Sequence, residues 1–197
     1  SVPSAGIPIT IDTTAPAAPL IRTSTSLTNI NTPTITGTAE AGSTVELFSG
    51  SDSLGTVIAA DNGTFLFNSY GELIDGSYQL TATSTDTAGN ISVSSHGLSI
   101  IVDTTEPDKP IIATTISTTN TDSPTIKGTT APGTTVTLLD GDNALGSVIA
   151  GNDGSFSITS SVLADANYTL TVRATDLAGN LSAESVGLPI EIDTTSP

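Results

Sequence analysis

Short runs of alternating apolar and polar residues dominate the chain. The alternation is clearest in VELFSG (45–50) and YQLTATSTD (78–86), where valine, leucine or alanine recurs at every second position. Side chains of a β-strand point alternately to its two faces, so a period of two predicts strands that are buried on one side. Almost no stretch has the 3.6-residue period of a helix. The pattern therefore predicts an all-β chain.

Gly, Pro, Asn and Asp separate these runs, and these residues favour turns. In the first half the pattern predicts strands near 18–23, 33–39, 43–49, 54–60, 64–68, 77–85 and 92–102. In the second half it predicts strands near 109–115, 124–130, 134–140, 145–151, 155–159, 167–175 and 182–192. Seven short strands in about 90 residues are typical of an immunoglobulin-like sandwich. Tyr78 and Tyr168, at the start of the penultimate strands, fit a tyrosine corner and plain core packing equally well.

Short motifs recur at a fixed spacing and define a repeat. TDTAGN at 85–90 returns as TDLAGN at 175–180, and IDTTAP at 11–16 returns as VDTTEP at 102–107 and IDTTSP at 192–197. The aspartates of Asp-Thr-Thr are at 12, 103 and 193, which gives spacings of 91 (103 − 12) and 90 (193 − 103). A fixed period of this size is typical of an array of folded units.

We predict two immunoglobulin-like repeats in tandem, at residues 17–103 and 104–193. Residues 1–16 are interpreted as the last strand and linker of a preceding repeat, because SVPSAGIPITIDTTAP aligns with SVSSHGLSIIVDTTEP at 92–107. Residues 194–197 are interpreted as the start of the next linker. The connection DTTEPDKP (103–110) contains two prolines, which predicts a short, extended and semi-rigid spacer that joins the repeats end to end.

The net charge of the chain excludes some classes of binding partner. Twenty acidic residues against four basic residues give a net charge of −16. Such a chain repels nucleic acid and anionic lipid and attracts divalent cations. No stretch approaches the eighteen or so apolar residues of a membrane helix, so we predict no membrane insertion. The expected partners are neighbouring repeats of the same chain, and we expect a monomer.

Catalytic chemistry finds little support in the sequence. The chain has no Cys, which excludes a thiol nucleophile, and no Trp to line a sugar cleft. Its one histidine, His96, lies in a predicted strand and is replaced by Ala5 and Val186 in the other copies. A catalytic triad needs a base in a defined geometry, which a repeat without histidine cannot supply. We predict that the chain is not an enzyme.

Acidic residues are expected to converge at one end of each sandwich. Where the chain enters a sandwich at the top, the loop between the last two strands also lies there, which brings Asp12 towards Asp86 and Asp103 towards Asp176. Two converging carboxylates repel unless a cation lies between them. Calcium suits a flexible set of oxygen ligands better than magnesium does, and the absence of thiols argues against zinc. The predicted metal ligands are Asp12, Glu40, Asp86, Asn90, Asp103, Asp176 and Asn180.

The same residues also fit an interpretation without a metal. Asp-x-Ala-Gly-Asn can be a plain turn in which the aspartate accepts hydrogen bonds and the glycine adopts a positive φ. An Asp before Thr-Thr can likewise bond nearby amides. Ala131 stands where the first repeat has Glu40, so the two predicted sites differ. Four residues at predicted hairpins are interpreted as turn formers: Asp61, Asn62, Asn152 and Asp153.

On these motifs the chain resembles the bacterial immunoglobulin-like repeats of giant surface adhesins of the biofilm-associated type, which are usually exported by type I secretion. The resemblance rests on Asp-Thr-Thr, on TDxAGN, and on PTITGTAEAGSTVELF (33–48) with its copy PTIKGTTAPGTTVTLL (124–139). It implies non-catalytic stalk repeats on the extracellular bacterial cell surface that support cell adhesion and biofilm formation. It also implies calcium at the domain junctions, bound by Asp12 with Asp86 and by Asp103 with Asp176.

Two other functions stay open at this stage. In one, the repeats themselves bind a host-surface or matrix ligand, a glycan or a protein, through loops or an exposed sheet edge. In the other, they form an accessory module of a secreted hydrolase.

Overall fold

A computed structural model describes residues 7–68 and 70–196. The chain divides into two compact units, Ser1–Asp103 and Thr104–Pro197. Among the described residues every regular element is a β-strand. Each unit contains two facing sheets of an immunoglobulin-type sandwich, so the predicted all-β class with two tandem sandwiches is confirmed. Residues 1–6, which the sequence assigns to the last strand of a preceding repeat, lie outside the described part.

The described part of the first unit has eight strands: β1 (Leu20–Ile21), β2 (Leu27–Thr28), β3 (Ile35–Thr38), β4 (Thr44–Ser49), β5 (Asp52–Ile58), β6 (Thr64–Phe67), β7 (Gly76–Thr85) and β8 (Leu98–Val102). One sheet has the order β1-β3-β6, and the other has the order β2-β8-β7-β4-β5. Strand β2 pairs with β8 in parallel, whereas the other pairings are antiparallel.

The second unit repeats this plan: β9 (Ile111–Ile112), β10 (Thr118–Thr119), β11 (Thr125–Thr129), β12 (Thr135–Asp140), β13 (Asn143–Ile149), β14 (Ser155–Thr159), β15 (Ala166–Thr175) and β16 (Leu188–Ile192). Its sheets have the orders β14-β11-β9 and β10-β16-β15-β12-β13. Strand β10 pairs with β16 in parallel, as β2 does with β8.

The alternating residues form the core of each sandwich. Leu47 on β4, Leu80 on β7 and Ile100 on β8 are almost fully buried in the first unit. Their counterparts Leu138, Leu170 and Ile190 are buried in the second unit. Burial of each such side chain contributes about 1.5–3 kcal/mol relative to exposure. The period of two therefore identifies the core correctly.

Two features of the strand prediction are wrong. The last strands begin at Leu98 and Leu188, six residues later than the predicted starts at 92 and 182. The two-residue strands β2 and β10 were not predicted at all. A strand of two residues is too short to show any periodicity.

Serine hydroxyl groups explain the late start of β8. Residues 91–97, the first serine segment, run beside β7 after a single bridge between Thr85 and Ile91. The Ser92 Oγ accepts a hydrogen bond from the N–H of Ser84, and the Ser95 Oγ accepts one from the N–H of Ala82, each at 2.9 Å. These hydroxyls occupy the positions that strand carbonyls would fill. The segment therefore provides acceptors for the N–H groups of β7 without forming a strand.

The second serine segment, residues 181–187, repeats the arrangement. The Ser182 Oγ accepts from the N–H of Ala174 and the Ser185 Oγ accepts from the N–H of Val172, each at 3.0 Å. Both serines are buried. The spacing Ser-x-x-Ser, at 92 and 95 and again at 182 and 185, is the sequence signal for this feature.

The tyrosine hydroxyls support the tyrosine corner at Tyr78 and Tyr168, and both side chains also pack against the core of their unit. The Tyr78 hydroxyl donates to the carbonyl of Ile74 at 2.7 Å, and the Tyr168 hydroxyl donates to the carbonyl of Ala164 at 3.1 Å. A hydrogen bond to a carbonyl a few residues upstream defines a tyrosine corner. The loop that precedes β7 or β15 is thereby tied to its strand.

We predict that Ser95→Ala lowers the free energy of unfolding of the first unit by about 1–3 kcal/mol, because the buried N–H of Ala82 loses its acceptor. Urea denaturation of the whole chain measures the change. The matched control is Ser94→Ala, since Ser94 lies in the same segment but is exposed; we expect an effect within about 0.5 kcal/mol. Equal effects of the two substitutions would contradict the proposed role of the Ser95 hydroxyl.

Candidate functional site

The loops at residues 86–90 and 176–180, the first and second acidic loops, follow β7 and β15 directly. In the first loop the Asp86 N–H donates to the carbonyl of Asn90 at 3.1 Å, and the Gly89 N–H donates to the carbonyl of Asp86 at 3.2 Å. Gly89 has a φ of 95°, which side-chain-bearing residues rarely adopt. The glycine therefore allows five residues to reverse the chain between Thr85 and Ile91.

N–H groups of its own loop surround the Asp86 carboxylate. Its Oδ1 accepts from the N–H of Ala88 at 2.8 Å and from the N–H of Asn90 at 2.9 Å. Its Oδ2 accepts from the side-chain Nδ2 of Asn90 at 2.8 Å. The Asn90 side chain is the main cause that lowers the pKa of Asp86; burial opposes it, and the main-chain donors add to the lowering.

The second acidic loop has the same design. The Asp176 Oδ1 accepts from the N–H groups of Gly179 at 2.7 Å and Asn180 at 2.8 Å, and its Oδ2 accepts from the Asn180 Nδ2 at 2.8 Å. Burial is the largest single influence on the pKa of Asp176 and raises it. The hydrogen bonds from Asn180, Gly179 and Ala178 together outweigh burial, so the pKa is lowered.

The segment that leads into the first unit, residues 12–19, contacts the first acidic loop, and we call it the incoming segment. The Asn90 Nδ2 donates to the main-chain carbonyl of Asp12 at 3.1 Å. The Asp12 carboxylate instead accepts the N–H of Thr14 at 2.9 Å. Asp12, Asp86 and Asn90 therefore lie together as the sequence predicted, but the contact to Asp12 runs through its carbonyl.

The aspartates that follow the last strands extend the parallel pairing. The Asp103 N–H donates to the carbonyl of Thr28 at 2.9 Å, and the Asp193 N–H donates to the carbonyl of Thr119 at 3.0 Å. The side chain and then the main-chain N–H of Thr195 lower the pKa of Asp193. The sequence predicts that Asp103 and Asp176 bind one metal ion together. Asp103 belongs to the first unit, and Asp176 belongs to the second.

Glu40 lies in the turn before β4. Its carbonyl accepts from the N–H of Ser43 at 3.1 Å and from the Ser43 hydroxyl at 2.7 Å. The Ala131 carbonyl accepts the corresponding pair of bonds from Thr134 in the second unit. Within the described ranges no group of three or more His, Cys, Asp or Glu side chains is placed to hold a metal ion. Glu40 is therefore not a third carboxylate beside Asp12 and Asp86.

A calcium ion needs six to eight oxygen ligands, and these contacts offer it few. The atom that faces both the Asp86 carboxylate and the Asp12 carbonyl is the amide nitrogen of Asn90, which is a donor and not a ligand. The Asp86 Oδ1 already accepts two main-chain N–H groups, and its Oδ2 accepts the Asn90 side-chain amide. The first acidic loop in this arrangement does not fit a calcium ion. Calcium binding in solution stays a prediction.

Two of the predicted turn formers have the bonds of turns. The Asn62 Oδ1 accepts the N–H of Thr64 at 3.0 Å, and the Asp153 Oδ1 accepts the N–H of Ser155 at 3.0 Å. His96 is exposed in the first serine segment, and its carbonyl accepts a hydrogen bond from the hydroxyl of Ser95 at 2.9 Å.

Over the described residues, no helix has the length and apolar character that crossing a membrane requires.

A family model matches the chain twice. The model of the bacterial Ig-like domain matches residues 8–104 and again residues 113–194. The two matches fall on the two sandwiches and together cover most of the chain.

Two curated bacterial proteins are similar to nearly the whole chain. Exoglucanase B of Cellulomonas fimi is 31% identical over 214 aligned residues, which cover 98% of this chain and 19% of that protein. Chitinase A1 of Niallia circulans is 30% identical over 212 aligned residues, which cover 100% of this chain and 29% of that protein. The chain thus spans less than a third of the length of these relatives.

A solved structure has the same fold. The fibronectin(III)-like modules of Clostridium thermocellum CbhA match with a TM-score of 0.59 at 17% identity, over 89% of this chain and 94% of that one. At this identity the match supports the fold alone.

We predict that Asp86 makes the first unit less stable in acid. Hydrogen bonds lower the pKa of Asp86 in the folded state. Its contribution to the free energy of unfolding is therefore fully present above the pKa of an unfolded aspartate, about 3.9, and is lost as the pH falls through the pKa of the folded state. Urea denaturation from neutral pH to about pH 3 should show a smaller acid-induced loss for Asp86→Asn than for the parent chain. The control is Asp61→Asn, which makes the same change of charge at an exposed hairpin. Identical pH curves for the two variants would disprove the assignment.

Proposed function

The chain belongs to the family of bacterial Ig-like domains, and we propose that its two units are non-catalytic spacers in an extracellular bacterial protein. A spacer has to fold independently, repeat without change of plan, and connect to its neighbours through a defined segment. Each of these requirements has a counterpart among the described contacts.

The observation that carries the proposal is what the two units share. The two bonds from the asparagine of the acidic loop to its aspartate, and the bonds between the serine segment and its strand, recur at corresponding residues in both units. The loops before the penultimate strands differ instead, with eight residues at 68–75 and six at 160–165. Repetition of the framework is what we expect of a scaffold, whereas the divergence of this loop by itself would favour ligand binding.

The acidic loops themselves are poorly suited to catalysis or ligand binding. A reactive carboxylate must face a substrate, whereas Asp86 and Asp176 accept hydrogen bonds from the main chain of their own loops. The lowered pKa of each keeps it ionised at neutral pH, which suits a structural acceptor better than a general acid. These residues therefore support a structural role.

Residues 7–11 support a longer array. Their sequence, IPITI, corresponds to LSIIV of strand β8. Ile9 and Ile11 are 82% and 85% exposed, whereas their counterparts Ile100 and Val102 are each 1% exposed. Each isoleucine would gain about 1.5–3 kcal/mol from burial. We therefore propose that residues 7–11 form the last strand of a preceding repeat, as the alignment of residues 1–16 predicts.

The resemblance of the motifs to adhesin repeats suggests one host protein. In this form of the proposal the units are stalk repeats of a biofilm-associated adhesin on the bacterial cell surface. The distal end of the adhesin would bind a host or matrix ligand. Calcium at the junctions, with the ligand set around Asp12, Asp86, Asp103 and Asp176, belongs to this form, and at Asp12 and Asp86 it would require the Asn90 side chain to move away.

The curated relatives favour a second host. Exoglucanase B and Chitinase A1 align with almost the whole chain, which covers only 19% and 29% of their lengths. In this form the units are an accessory spacer in a secreted hydrolase, and the reaction belongs to another part of the protein. The spacer role of the units is common to the two forms.

We predict that deletion of residues 104–193 from the full-length protein removes one spacer without loss of folding. The deletion joins Asp103 to Thr194 and so restores Asp-Thr-Thr. The first unit should keep its denaturation midpoint. Adhesion to a surface, or hydrolysis of an insoluble polymer, should decrease only in part, and hydrolysis of a soluble substrate should not change. Complete loss of the host activity would contradict a spacer role.

A deletion of residues 104–148 is the matched control, because it removes β9 to β12 and most of β13 and breaks the second sandwich. We expect this variant to aggregate, since the remaining core residues lose their partners. A glycan array, together with cellulose and chitin pull-down of the unaltered chain, completes the experiment. Saturable binding in these assays would favour a ligand-binding module over a spacer.

A further inference from the structure

We propose that the side-chain amide of Asn90 fastens the incoming segment to the first unit without a metal ion, in the position that a bound cation would occupy. The Asn90 Nδ2 lies 2.8 Å from the Asp86 Oδ2 and 3.1 Å from the carbonyl oxygen of Asp12. We call this pair of hydrogen bonds the amide latch. It goes beyond the spacer role, which holds whatever fixes the incoming segment.

The chemistry of the amide suits this role. A primary amide has two N–H donors, and here one meets a carboxylate and the other meets a main-chain carbonyl. Hydrogen bonds to an ionised acceptor are roughly twice as strong as those between neutral groups. The amide thus joins the Asp86 carboxylate to the Asp12 main-chain carbonyl, where the sequence predicted a calcium ion between the two carboxylates. A cation at the same place would first have to displace the Asn90 side chain.

The rest of the acidic loop holds the latch in place. The main-chain N–H of Asn90 donates to the Asp86 Oδ1, so the backbone and side chain of one residue bind the two oxygens of one carboxylate. This double attachment leaves the Asn90 side chain little freedom to rotate. Asp86 is therefore the fixed support of the latch, and Asp12 is the part that it captures.

The incoming segment has further attachments behind the latch. The Ser84 hydroxyl donates to the carbonyl of Ala17 at 3.2 Å, and Pro16 and Pro19 are buried. The prolines restrict the backbone and remove two N–H groups that would need partners. Asp12 is thus the outermost fixed point before the exposed residues 7–11. Without the latch, the first of these attachments would lie at Pro16.

Asparagine and aspartate have opposite consequences at position 90. Both have the same shape, but a carboxylate at 90 has no donor and repels the charge of Asp86. Asn90→Asp would also give the loop a second carboxylate, with the carbonyl of Asp12 as a further oxygen. Asn90→Asp therefore changes the attachment of the incoming segment from one that holds without a metal ion into one that needs a cation.

The experiment compares the parent chain with Asn90→Asp and Asp12→Asn in excess EDTA and in millimolar CaCl2. Asp12→Asn removes a charge that a calcium site needs, but it keeps the main-chain carbonyl and an oxygen for the N–H of Thr14. We expect Asp12→Asn to match the parent chain in melting temperature in both solutions. We expect Asn90→Asp to melt about 5 °C or more lower in EDTA and to regain stability in calcium.

The control for the amide-to-acid change is Asn62→Asp. Asn62 accepts the N–H of Thr64 in its turn, and the second unit has Asp153 in the corresponding place with the same bond. We expect no dependence on calcium and no loss of stability from this variant. It separates the effect of an added charge from the loss of the latch.

Side-chain NMR provides the deciding measurement. In EDTA the Nδ2 protons of Asn90 should exchange with water more slowly than those of the exposed Asn62, in the parent chain and in Asp12→Asn alike. Exchange of the Asn90 amide protons at the rate of Asn62 would overturn the proposal. So would a stabilisation of the parent chain by calcium that Asp12→Asn abolishes.

Discussion

The hydrogen bonds along one edge of the penultimate strand are the constraint that shapes each unit. Strand β7 has ten residues, but β8 covers only its first half, from Gly76 to Leu80. The N–H groups of Ala82 and Ser84 on the uncovered half need other acceptors, because a buried donor without a partner costs about 1–3 kcal/mol. The hydroxyls of Ser92 and Ser95 supply them. The serine hydroxyls thus complete this edge of β7 beyond the end of β8, next to the acidic loop.

The acidic loop shows how a chain with a charge of −16 stabilises a partly exposed carboxylate with few basic side chains available. Its four basic residues are too few to pair with twenty acidic ones. Asp86 and Asp176 are stabilised instead by N–H dipoles of their own loops, which lower the pKa of each. Amide donors add no net charge to the chain and are held in position by the backbone. Hydrogen bonds also lower the pKa of Asp153, chiefly from the N–H of Ser155, and the pKa of Asp193, chiefly from the side chain of Thr195.

The two units differ where the framework places no demand. Tyr70 exists only in the first unit, where its hydroxyl donates to the carbonyl of Pro33 and burial raises its pKa to about 12. Arg173 and Glu184 form an ion pair on the second unit, where the first has Thr83 and Ser94. The pair is partly exposed, so it adds little stability. Variation of this kind leaves the sandwich and its attachment points unchanged.

The sequence by itself determined the all-β class, the two sandwiches, the core residues and the meeting of Asp12 with the loop of Asp86 and Asn90. These follow from a period of two and from chain topology, which are local or repeated properties. Tertiary structure decided where β8 begins, because SVSSHG alternates like a strand while its serine side chains replace strand carbonyls. It also decided the partners of Asn90. An asparagine can offer an oxygen to a metal or a nitrogen to an acceptor, and the choice depends on Asp12, 78 residues away in the chain.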